Sequence, residues 1–69
     1  MISYNEKTDQ YIISVLLGEY TLPVGVYPQF KLDTIGYFIS YIEDNTVIRI
    51  HLTNSEYDRI YDDFIASNL

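Results

Sequence analysis

Cysteine is absent from this 69-residue chain, so neither a disulfide nor a thiolate metal site can hold it together. Bases are scarce too: four Lys and Arg stand against ten Asp and Glu, a formal charge of -6. A surface of that sign repels nucleic acid and anionic lipid and attracts basic protein surfaces. No apolar run approaches the ~20 residues of a membrane-spanning helix. The longest, Tyr11 to Leu17, has seven. Met1 is not followed by the basic segment and apolar stretch of a signal peptide, so a cytoplasmic location is expected. With no visible tag, the chain reads as a complete small reading frame.

Chemical motifs are equally thin. His51 is the single histidine, and without Cys a serine nucleophile would have no other base. No G-x-x-x-x-G-K-[ST] loop offers a phosphate cradle, and no D-x-D-x-D-G loop supplies the oxygens that calcium requires. The expectation is a protein that acts by binding, with no catalysis, cofactor or metal.

The scarcity of bases runs against the rest of the composition. Ile occurs ten times and Tyr eight, while Ala occurs once. Ile, Tyr, Asn and Phe are read from AT-rich codons, as is Lys, yet the lysines are Lys7 and Lys31 alone. The acidity therefore reads as retained rather than acquired by drift.

A chain this short makes one domain and buries only ~60% of its unfolded surface. With 48% hydrophobic residues it has the material for a dense core. Eight Tyr against three Phe imply rings that lie half-buried, their hydroxyls reaching water or a partner.

The pattern predicts an α+β fold: a small antiparallel sheet, a meander containing a 36–53 hairpin, packed against a C-terminal helix at about 55–67. Thr53-Asn54-Ser55-Glu56 matches the T-x-x-E capping box. Tyr57, Ile60, Tyr61, Phe64 and Ile65 then recur at helical spacing as an apolar stripe. Gly36 to Glu43 and Thr46 to Thr53 read as strands joined by Asp44-Asn45. A two-residue turn there sets Tyr41 opposite Ile48, Ile39 opposite Ile50 and Tyr37 opposite Leu52, on one face. The other face carries Phe38, Ser40, Ile42, Val47, Arg49 and His51. A second layer from the N-terminal half is expected over it, with an apolar interface at Phe38, Ile42 and Val47 as the alternative.

Residues 4–17 admit two readings. Tyr11 to Leu17 is rich in β-branched residues and reads as a buried strand, with Asn5 to Asp9 as the turn from a short first strand. Ser3-x-x-Glu6, a helical apolar face and Gly18 support a helix instead. The β-branched content tips the reading to a strand. Pro23 and Pro28 make Leu22 to Pro28 a loop or an edge. Gln29 to Leu32 then forms a strand that turns at Asp33 to Gly36.

Candidate partner-binding residues are Glu43, Asp44, Tyr57, Asp58, Tyr61, Asp62 and Asp63. Glu56 and Asp58 suit the first turn of a helix, and Arg59 is placed to pair with Glu56 and Asp63. Asp58 and Asp62 are less easily explained. They are like charges at i and i+4, and Asp is a poor interior helix residue. Their spacing of ~6 Å approaches that of successive phosphates along a strand. In size, charge and composition, though in no motif, the chain resembles the small acidic inhibitors and DNA mimics of phages and mobile elements. That resemblance implies a protein partner with a basic surface, blocked by the acidic module, and no direct contact with nucleic acid or membrane. The alternative is a homodimer or assembly subunit joined through the apolar sheet face.

Overall fold

Turn chemistry sets the register of the C-terminal sheet. The computed structural model describes residues 1–67. In it, Asp44 and Asn45 both take left-handed backbone, with φ of 51° and 62°. Two such residues make the hairpin turn whose twist matches that of its strands. The turn joins β5 (Gly36–Glu43) to β6 (Thr46–Leu52) and pairs Tyr41 with Ile48, Ile39 with Ile50 and Tyr37 with Leu52. This is the register expected from the apolar pattern. The second strand stops one residue short of expectation, because Thr53 leaves the ladder to cap the helix.

Upstream, β4 (Gln29–Asp33) pairs with β5 through a tight turn in which Asp33 Oδ1 accepts the Ile35 N–H at 2.8 Å. The result is a meander, β4-β5-β6. The N-terminal half forms a second one. Strands β1 (Ile2–Asn5), β2 (Gln10–Val15) and β3 (Gly18–Thr21) pair antiparallel in sequence order. The strand reading of 4–17 is therefore the right one, but β2 ends at Val15. Leu16 and Leu17 form the turn to a third strand and are 87% and 93% exposed, not buried.

Both sheets turn one face to a common core. Ile2, Tyr11 and Ile13 come from the first sheet, Ile39, Tyr41 and Ile50 from the second, and Leu22 from the connecting loop. Ile60 closes the cluster from α1 (Asn54–Ser67). Ile13, Leu22, Ile39 and Ile60 are fully buried, each contributing roughly 1.5–3 kcal/mol over exposure. The loop is pinned to the β1–β2 turn: Gly25, in left-handed backbone, donates its N–H to the Asp9 carbonyl at 3.0 Å. Asp9 Oδ1 also accepts the Tyr4 hydroxyl at 2.7 Å, and that bond pushes the phenol from 10.0 up to about 12.

Two expectations need correction. The N-terminal half does not lie over the Phe38 face; it packs on the opposite side of the second sheet, where the larger apolar residues are. The Ile42–Val47 end of the Phe38 face stays open, at 59% and 53% exposure, while Phe38 and Ser40 on the same face are buried. The helical stripe is also narrower than its period suggests. Ile60 is buried and Tyr57 and Phe64 half-buried, while Tyr61 and Ile65 look outward.

Candidate protein-binding surface on the helix

The helix starts where its cap dictates. Glu56 N–H donates to Thr53 Oγ1 at 3.2 Å, and Thr53 N–H donates to Glu56 Oε1 at 3.3 Å. These reciprocal bonds are the capping box read from the sequence. Glu56 does more than cap: its Oε2 accepts the Leu16 N–H at 3.1 Å, tying the helix start to the β2–β3 turn. The Leu16 bond first and the Thr53 bond second hold the Glu56 carboxyl below its ordinary value. Glu56 thus serves the fold, and the pairing with Arg59 anticipated from spacing is replaced by these backbone donors.

Aromatic packing then orients the helix. Phe30 on β4 meets Tyr57, Tyr61 and Phe64 with centroids 5.7, 5.3 and 5.2 Å away. Tyr37 meets Tyr57 at 5.0 Å, and Phe64 reaches Tyr11 at 5.7 Å. Edge and tilted contacts of this kind suit the charge distribution of the rings and add to their burial. Phe30 therefore acts as the anchor that holds Tyr57 and Tyr61 in place. Those two rings stack on each other at 6.3 Å and 15°.

Four of the seven candidate residues share the resulting outer strip. Tyr57 and Tyr61 form one row, and Asp58 and Asp62, both exposed, form the row beside it. Burial, followed by the neighbouring Tyr61, Asp58 and Tyr37, raises the Tyr57 phenol. Asp63 is set about 100° further round the helix from Asp62. It is half-buried, and its carbonyl accepts the Ser67 hydroxyl at 2.9 Å. Glu43 and Asp44 lie elsewhere. Tyr57 touches Tyr37 near the start of β5, whereas Glu43 ends that eight-residue strand, roughly 20 Å away along an extended chain. The positive φ of Asp44 assigns it to turn geometry. The acids thus divide between two elements instead of forming one line.

The sheet-face residues separate in the same way. Ile42 and Val47 are cross-strand partners and exposed, but Phe38 is only 4% exposed. Its ring lies beneath the Arg49 guanidinium at 6.0 Å and beside His51 at 5.8 Å. His51 sits opposite Phe38 in the ladder, as the hairpin register required.

The sequence reading missed Leu16 and Leu17. A strand read through Leu17 hid them, although Gly18 immediately afterwards is a turn signal. The strip on α1 can do one thing chemically: its carboxylates and phenol oxygens accept hydrogen bonds from a cation, and its rings offer π faces to it. Compared with known families, curated proteins and solved structures, the chain matches none.

Proposed function

We propose that the protein is a small acidic binding module that lays the outer strip of α1 on a basic surface of a larger protein and blocks it. A surface that normally binds nucleic acid has the required charge, and an inhibitor that occludes it needs no catalysis. One observation carries the reading: Asp58 and Asp62 stand exposed side by side, next to the stacked Tyr57 and Tyr61. Among the described residues, no Lys or Arg pairs with either carboxylate. The fold gains little from the pair. Asp58 lies close enough to the helix start to favour its dipole slightly, but Asp62 is interior, where Asp is a poor helix former, and the two like charges repel at this spacing. An arginine from a partner satisfies both rows, bonding to carboxylate and stacking on the ring. Glu43 and Asp44 add long-range attraction from the hairpin tip.

The experiment is a calorimetric titration with an arginine-rich peptide, comparing Asp58→Asn/Asp62→Asn with Glu43→Gln/Asp44→Asn. Both pairs remove the same charge from different places. Binding is expected to weaken by at least about tenfold between ~0.05 and ~0.2 M salt, and to fall much further for the helix pair than for the hairpin pair. Equal losses from the two pairs, or an affinity indifferent to salt, would overturn the reading.

A further inference from the structure

Leu16 and Leu17 are the most exposed large apolar side chains among the described residues. The turn does not require them. Neither has a positive φ, the Val15–Gly18 pair closes the ladder beside them, and the bond to Glu56 is made by the Leu16 backbone. A scattered surface leucine needs no explanation, but two in tandem beside an apolar hollow do. Such a hollow begins at their base: a cleft of about 510 Å³ between β3 and β6, lined by Val15, Tyr20, Ile50 and Leu52, edged by Leu16, Leu17 and Glu56, with the exposed Arg49 and His51 also on its wall. Among the described residues, β6 is an edge strand whose sole ladder partner is β5, so one of its backbone edges is unpaired there. Glu19, exposed, follows the leucine apex after Gly18.

We propose that the Leu16–Leu17 apex of one protomer seats in the β3–β6 cleft of a second copy, forming a two-fold homodimer. The knob forms one edge of the hollow on the same molecule, so a single symmetric contact fills both clefts and covers all four leucines. Charge fits the same occupant: the Glu19 beside one apex meets the Arg49 and His51 beside the other cleft, whose own acid, Glu56, is engaged by the Leu16 and Thr53 N–H groups. A second copy thus supplies both the apolar and the charged half of the match. The contact differs from the helix strip and from the open Ile42–Val47 face. It also responds oppositely to salt. Two protomers of charge -6 repel, so screening strengthens this dimer while it weakens docking of α1 on a basic partner.

Sedimentation equilibrium of the whole chain at low and high salt tests the dimer. The variants are Leu16→Gln/Leu17→Gln, Ile42→Gln/Val47→Gln, and Glu19→Arg and Arg49→Glu singly and together. The parent is expected to dimerise more tightly in high salt. The leucine pair should raise the dimer dissociation constant more than about tenfold, and the sheet-face pair should change it less than about twofold. Each charge reversal should weaken the dimer, and the two combined should restore it. Circular dichroism should match the parent for the leucine pair, because both side chains lie outside the core. A parent that stays monomeric at millimolar concentration in high salt overturns the dimer, as does one indifferent to the leucine pair or dissociated by the sheet-face pair.

Discussion

Glu56 shows how one side chain can join three parts of a small protein. Its carboxylate takes an N–H from the helix cap and another from the β2–β3 turn, forty positions earlier in the chain. Both bonds are stronger to the ionised form, which is why the carboxyl is held low. A lowered folded value stabilises the fold wherever the group is ionised in both states. That contribution is complete above the ordinary carboxylate value of ~4.3 and disappears as pH falls through the folded value. Glu56→Gln is accordingly expected to lower the thermal midpoint at pH 7, with the gap from the parent closing below about pH 4. Parallel melts across that range measure it, and a gap that persists undiminished at low pH would assign the loss to shape rather than charge. The capping half of this role was legible in Thr53-x-x-Glu56. The Leu16 half was not, because it depends on a turn brought in by tertiary packing.

Among the elements, the β5–β6 hairpin followed most directly from local sequence. Asp and Asn tolerate left-handed backbone better than other side-chain-bearing residues, so Asp44-Asn45 could be read as a turn. Glycine tolerates that conformation better still. Asn45→Gly should therefore stabilise the protein or leave it unchanged, within about 0.5 kcal/mol, while Asn45→Val should cost roughly 1–2 kcal/mol or more. Urea titration gives both values, and a harmless valine would show that the turn geometry is wrong. Element period alone misled at two places. It extended β2 through Leu17, because a run of apolar residues carries no mark of where a strand stops. It also widened the helical stripe to Tyr61 and Ile65, because period reports amphipathicity and not how much of the stripe a core can cover. The same excess leaves Tyr61 on the surface, where it completes the candidate strip.

At the scale of the whole molecule, stability rests on one thin core shared by two meanders and a helix. A chain of this length is expected to be stable by about 3–10 kcal/mol. Ile39, fully buried in the central strand of the second sheet, packs among residues from all three layers. Ile39→Ala should cost about 2–5 kcal/mol, a large share of the total, while Ile42→Ala on the open face should stay within about 0.5 kcal/mol. Similar losses at the two sites, measured by denaturant unfolding, would mean that the Ile42–Val47 patch is covered after all. By itself, the sequence determined the strands of the C-terminal sheet, their register, the helix and its cap, and the net charge. The charge is a sum over the chain, and each of the others depends on residues within a few positions of one another or on a tight turn. Only the tertiary structure decided which face of the second sheet the first one covers, which of the acids share a surface, and that two leucines stand in the open beside a cleft. Those outcomes depend on how much apolar area competing faces offer once they meet, a quantity that exists only when distant segments pack together.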